Sequence, residues 1–208
     1  MSRYTGPVCK LCRRESTKLF LKGEKCTTKC TLDKRQTPPG AARPRRGKTS
    51  EYALRLREKQ KLRRMSGMNE TSFSRRVELA SKSPESTGEA LLRGLELRLD
   101  NVVRRIGFST STKTARQLVR HGHIKVGGKV ISIPSYTVRP GDVIALDPSL
   151  KENTGVKLAL ENAQKKSTRP SFLEFDEAGL SGKLVRVPDR TEMSFPVNEQ
   201  LIIEYYSR

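Results

Sequence analysis

Ala115-Arg-Gln-Leu-Val-Arg-His-Gly-His-Ile-Lys-Val-Gly-Gly-Lys-Val130 changes its hydrophobic period halfway, and that change decides the fold. Ala115, Leu118 and Val119 recur at helical spacing, with Ser111 or Thr112 as the cap and Gly122 as the stop. From Ile124 the period becomes two. Ile124 and Val126 on one side, and Val130 and Ser132 on the other, flank Gly127-Gly128, a pair suited to a tight β-hairpin turn. Tyr136 and Val138, a Pro140-Gly141-Asp142 turn and residues 143–146 predict further strand.

Working towards the N-terminus, Leu91, Leu92, Leu95, Leu99, Val102, Val103 and Ile106 lie on one helical stripe that Gly107 ends, and Ser86 with Glu89 has the form of a capping box. One continuous helix is expected through residues 93–106, with Asp100 as a surface carboxylate paired to Arg104 four residues on. Ser50 caps an earlier helix, with Leu54 and Leu62 on its inner path and Arg55, Arg57, Lys59, Lys61, Arg63 and Arg64 outward. A second helix fits residues 72–80. Residues 1–48 read as irregular, with too little apolar material for a core of their own. Towards the C-terminus a helix is expected at 153–166, then short strands at 172–175, 184–187 and 201–205. The fold class is α+β, on a small, mostly antiparallel sheet.

Charge narrows the function. The formal net charge is +20, and residues 1–64 carry 20 Lys and Arg against 5 Asp and Glu. Between Asp100 and Asp142 stand eight basic residues and no acid. A chain this cationic repels itself unless its partner is a polyanion, with nucleic acid the leading choice. No apolar run approaches the roughly 18 residues needed to span a bilayer, so a soluble intracellular protein with no membrane partner is expected. The cations expected to face RNA are Arg13, Arg14, Arg43, Arg45, Arg46 and Lys48 in the N-terminal zone, and Arg55, Lys59, Arg63 and Arg64 on the first long helix. Arg104, Arg105, Lys113, Arg116, Arg120, Lys125 and Lys129 follow in the acid-free segment. His121 and His123, either side of Gly122, stack on or hydrogen-bond RNA, or else decorate the turn.

Cys9-x2-Cys12 and Cys26-x3-Cys30 have the spacing of two thiolate pairs on separate turns, which fits a closed, structural Zn²⁺ site. An iron–sulfur cluster, a redox pair and four unconnected thiols are the alternatives. No Walker loop, Gly-x-Ser-x-Gly, His-Glu-x-x-His or dinucleotide glycine fingerprint is present, and two histidines give no acid–base constellation. No enzymatic activity is expected.

The residues of the central segment also carry a resemblance. Arg98-Leu-Asp-Asn-Val-Val103, Ala115 through Ile124 and Val126-Gly-Gly-Lys129 resemble the RNA-binding module named after the fourth protein of the small ribosomal subunit. That module also occurs fused to pseudouridine synthases, tyrosyl-tRNA synthetases and a small heat-shock protein, so an RNA-modifying enzyme or a free regulatory RNA-binder using it is the alternative reading. The flanks are more specific. Met1 to Glu15, Tyr52 to Leu62 and Pro196 to Arg208 resemble the bacterial family of ribosomal protein four over essentially the whole chain. One departure is the three-residue spacing of the second cysteine pair, where zinc-bearing relatives are expected to have four.

The resemblance implies a basic arm with a four-cysteine metal site at 1–48 and a helical rRNA-binding domain at 49–94. It implies the RNA-binding module at 95–147, then a helix and strands at 148–208 that complete the sheet and pack back on the helical domain. It also implies a structural constituent of the small ribosomal subunit, cytoplasmic or organellar. Such a protein binds small-subunit rRNA early, organises the 5′ domain and lies where mRNA enters, beside ribosomal proteins three and five. It influences translational accuracy.

Overall fold

A computed structural model of the chain describes residues 4–40, 50–165, 169–193 and 195–207. Short helices come first: α1 (Cys9–Glu15), α2 (Lys25–Thr28) and α3 (Thr31–Lys34). Longer ones follow as α4 (Glu51–Met65), α5 (Glu70–Ser81), α6 (Thr87–Glu96), α7 (Leu99–Ile106) and α8 (Thr112–Arg120). Then come β1 (Ile124–Val126), β2 (Lys129–Val130), β3 (Val143–Leu146), α9 (Thr154–Lys165), β4 (Leu173–Asp176), β5 (Ser181–Leu184) and α10 (Glu199–Tyr206). The chain forms two compact units. One holds Met1–Leu92 with Phe195–Arg208, the other Arg93–Ser194, and the division falls within α6.

In the first unit α4 is the organising helix. Ser50 caps it, its hydroxyl accepting from the Ala53 N–H at 3.3 Å, and Leu62 is fully buried. Its cations reach acids on three other helices. Arg57 and Arg64 both meet Glu15 of α1, whose side chain is 1% exposed; Lys59 meets Glu70 of α5 at 2.7 Å; Arg55 meets Glu204 of α10 at 2.6 Å. Lys59 is buried, not outward as its sequence neighbours imply, and its ammonium lies 4.5 Å from the Tyr205 ring centroid. Leu54, expected inside, is exposed. A carboxylate and an aromatic face draw the lysine stem inward.

Two expectations at the ends of the chain are corrected. Residues 1–48 contain the three short helices, and Val8, Cys12, Leu19 and Leu21 form a small apolar cluster against Leu11 and Met65. Residues 201–205, expected as a strand from their β-branched and aromatic content, lie in α10. Asn198 caps that helix by accepting from the Gln200 N–H at 3.0 Å, and Tyr205 and Tyr206 stack edge-on 5.3 Å apart.

The second unit packs helices on one five-stranded, wholly antiparallel sheet of order β2-β1-β3-β5-β4. The hairpin turn is as expected, while its second strand ends at Val130, short of Ser132. Lys125 pairs with Val130 and Val126 with Lys129, and Gly127 and Gly128 have φ of 54° and 81°, which a two-residue type I′ turn requires. Burial alternates along β1 and β3, so one face of the sheet carries the core. Leu99, Val102, Val103 and Ile106 of α7 and Ala115 and Val119 of α8 meet Ile124, Ile144, Leu146 and Leu184 there. At Gly182 a Cβ would stand 2.6 Å from the Ile106 Cδ1, so the missing side chain lets α7 seat on the sheet.

Three expectations in this unit are corrected. The Leu/Val/Ile stripe does not belong to one helix: α6 ends at Glu96 and α7 starts at Leu99, with Arg98 extended (φ −66°, ψ 138°) and bridged to Thr137. Residues 136–138, expected as strand, contribute only that isolated bridge, because a turn around Pro134 closes with the Tyr136 N–H on the Ile133 carbonyl at 3.1 Å. The strand expected at 184–187 ends at Leu184, since the chain beyond it is held by Arg186 reaching Glu192 at 2.6 Å.

Candidate nucleic-acid interface

The break between α6 and α7 creates a charged knot inside the second unit. Arg98 grips Asp100 with two parallel hydrogen bonds, at 3.0 and 2.8 Å, and both side chains are almost wholly buried. Arg116 of α8 reaches the same carboxylate at 3.3 Å. Asp100 is therefore a buried anchor between two guanidinium groups, not the surface partner of Arg104 expected from their spacing. Arg104 instead donates to the Asn101 side-chain oxygen at 3.2 Å, and burial together with the neighbouring Arg105 pushes its guanidinium below its ordinary pKa. Arg105 meets the buried Glu96 at 2.5 Å and the Glu192 carbonyl at 3.3 Å.

The four other candidate cations of this segment are placed differently. Lys113, Arg120 and Lys129 are exposed, and Lys125 is half-buried on β1. Among the described residues none of the four forms an ion pair. Lys113 and Arg120 lie near the two ends of α8, and Lys125 and Lys129 are on the hairpin that follows it. A capped helix and a paired strand fix their backbones, so their spacing is set before any ligand arrives: the Ser111 hydroxyl accepts from the Thr114 N–H at 3.2 Å. His121 is exposed and His123 half-buried, with ring centroids 6.1 Å apart and planes tilted by 44°.

The described candidate cations of the first unit are mostly engaged. Arg55, Lys59, Arg63 and Arg64 all stand in ion pairs, with Glu51 and Glu204, Glu70, Glu70 and Glu15 respectively. Arg13 binds backbone, its Nε donating to the Thr37 carbonyl at 2.8 Å and an Nη to Pro38 at 3.2 Å. Arg14 is exposed. Arg43, Arg45, Arg46 and Lys48 lie outside the described residues. The sequence gives no expected partner role to Glu15, Glu70 or Glu96, and pairs Asp100 with Arg104 alone. One signal for them exists. Acids are rare in residues 1–64, and four of the five there, Glu15, Asp33, Glu51 and Glu58, hold cations.

The four cysteines are free thiols, Cys12 and Cys26 buried and Cys9 and Cys30 half-buried. Among the described residues no group of three or more His, Cys, Asp or Glu is gathered closely enough to hold a metal ion as it stands. The sulfurs nevertheless sense one another. Burial pushes the Cys12 thiol up, a Leu19 N–H works against this, and Cys26, Cys9 and Cys30 each add to the rise. The Lys22 N–H points at the Cys26 Sγ at 3.2 Å. Four soft donors, with Cys12 and Cys26 already accepting N–H bonds, suit a thiophilic cation in their chemistry.

Comparison with known proteins agrees with the flanking motifs. The Ribosomal protein S4/S9 N-terminal domain matches residues 3–96, and the S4 domain matches residues 97–144. Small ribosomal subunit protein uS4A of Symbiobacterium thermophilum is 52% identical over the full length of both chains. The uS4 proteins of Thermodesulfovibrio yellowstonii and Thermus thermophilus are 51% and 50% identical, again over 100% of each chain. With half of its residues shared from end to end, the chain belongs to the uS4 family of small ribosomal subunit proteins.

Proposed function

We propose that this protein is a non-enzymatic, structural constituent of the small ribosomal subunit and that its ligand is the subunit's rRNA. The observation that carries the reading is that Lys113, Arg120 and Lys129 are exposed and Lys125 half-buried, without ion pairs, on a helix and hairpin whose backbones are fixed. Folded RNA is recognised by shape, phosphates and 2′-hydroxyls, so fixed cation spacing is what such a ligand needs. The relatives' shared name, small ribosomal subunit protein, supports the setting. No helix among the described residues is long and apolar enough to cross a membrane.

Within that reading the protein binds the 5′ domain of small-subunit rRNA early in assembly. In the finished particle it lies where mRNA enters, next to ribosomal proteins three and five, and influences translational accuracy. Cys9, Cys12, Cys26 and Cys30 hold a structural zinc ion that brings α1 and α2 together; the metal supplies a closed tetrahedral crosslink and no reaction. Metal analysis of protein purified without chelator tests this part, with one zinc per chain expected. A metal-free protein whose N-terminal helices are ordered would remove zinc from the account.

Sucrose-gradient fractionation of cell extract tests the main reading. Stoichiometric sedimentation with small subunits is the expected result. A pool mostly outside ribosomes would favour a free RNA-binder, and modified nucleotides in rRNA incubated with the pure protein would favour an enzyme.

A further inference from the structure

Beside the exposed cations of α8 lies a recess of about 380 Å³ that the electrostatic account does not use. It opens between α8 and the start of α9, entirely within the second unit. Its floor is apolar: Phe108 and Val156 are buried and Leu118 is half-buried. Its rim is polar, with Thr114, Gln117, His121, His123 and Asn153. No Asp, Glu, Lys or Arg lines it. A recess with no charge of its own is a poor seat for a phosphate or a metal ion, even though Lys113 and Arg120 stand on the same helix.

The rim also has hydrogen-bonding capacity left over. Among the described residues the side chains of Gln117, His121 and His123 make no hydrogen bond. Asn153 uses its oxygen to cap α9, accepting from the Gly155 N–H at 2.9 Å, which leaves its NH₂ group to donate. The two imidazoles, 6.1 Å apart, offer flat faces at the mouth. An apolar floor, flat rings and neutral amide donors and acceptors, next to cations that take phosphates, match one chemical object: an unpaired nucleobase turned out of its stack.

We propose that this recess receives a single unpaired base of the bound RNA, read by Gln117 and Asn153 and stacked on His121. The proposal rests on the rRNA-binding reading above and adds a base-recognition site to it. It also gives the histidine pair a task beyond ending α8.

The test uses the full-length protein and a transcript of the small-subunit rRNA 5′ domain. The double variant Gln117→Ala/His121→Ala changes two exposed side chains and removes no lysine or arginine. Stacking and edge contacts to one base are worth about 1–3 kcal/mol, so affinity is expected to fall roughly tenfold. The slope of affinity against salt stays as in the unaltered protein. In base-specific chemical probing, one unpaired base protected by the unaltered protein becomes reactive, and His121→Phe, which keeps a flat ring, restores much of the affinity. A double variant that binds and protects like the unaltered protein would overturn the proposal while leaving the cationic face standing. A transcript that the unaltered protein does not bind would overturn the rRNA reading, and the recess assignment with it.

Discussion

α4 and α8 are both arginine- and lysine-rich helices, and they use their charge in opposite ways. All six cations of α4, from Arg55 to Arg64, stand in ion pairs with Glu15, Glu51, Glu58, Glu70 or Glu204. On α8 only Arg116 has such a partner, the buried Asp100, while Lys113 and Arg120 project into solvent. A cation already facing a carboxylate gains less from a phosphate, because it must share or surrender a partner. One facing water releases counterions when a phosphate arrives. Density of positive charge thus marks both a scaffold and an interface, and the placement of the acids tells them apart.

The sharpest way to break the comparison is to remove a buried counter-ion. Asp100→Ala would leave Arg98 and Arg116 facing one another without a carboxylate, and breaking such a pair costs about 3–5 kcal/mol. Urea denaturation should show a loss of that size; a loss near zero would mean that Asp100 does not anchor α7 to α8. Next in size is Lys59→Ala, which removes the ammonium from Glu70 and Tyr205. Glu70 is half-exposed and keeps Arg63, so the cost is expected at the lower end of about 1–3 kcal/mol. Its RNA affinity, measured well below the melting temperature, should not change.

Arg120→Ala is expected to do the reverse. Stability should stay within about 0.5 kcal/mol, while affinity for RNA falls and the salt slope drops by about one. The smallest effect concerns acid. Arg186, then Ser171 and the Asp189 N–H, hold the Glu192 carboxyl at about 2. Its folded value lies below its unfolded one, so the contribution is complete above the ordinary carboxylate range and is lost as pH falls through about 2. Arg186→Ala should flatten the stability profile between about pH 4.5 and 2, the span between the ordinary and the held value. A carboxyl titration of Glu192 by NMR near the ordinary value would contradict the assignment.

Local chemistry was readable where it was self-sufficient. Gly127-Gly128 announces its hairpin, and Ser50 and Ser111 announce their helices, because each device is completed within a few residues. The break at Leu97-Arg98 was hidden, since an unbroken apolar stripe runs across it and its causes, Thr137 and Arg116, lie far along the chain. α10 was hidden for a related reason: Leu201, Ile202, Ile203, Tyr205 and Tyr206 are strand-formers by composition, and packing on α4 overrides them. The cationic face was legible as an acid-free segment. Which of its members face solvent was not, because the deciding groups, the Glu96 and Asp100 carboxylates and the Glu192 carbonyl, stand outside it. The uncharged recess beside α8 depends on α9, more than thirty residues later, and left only the histidine pair as a trace.

On the proposed function, the α8–hairpin cations supply the salt-sensitive part of RNA binding. The most direct measurement is the slope of log affinity against log salt for the 5′-domain transcript. It compares the unaltered protein with the triple variant Lys113→Ala/Arg120→Ala/Lys129→Ala. Three released phosphate contacts should lower the slope by about 2–3 with the melting temperature unchanged. A triple variant that keeps the full slope would contradict the account and move the electrostatic interface elsewhere in the chain.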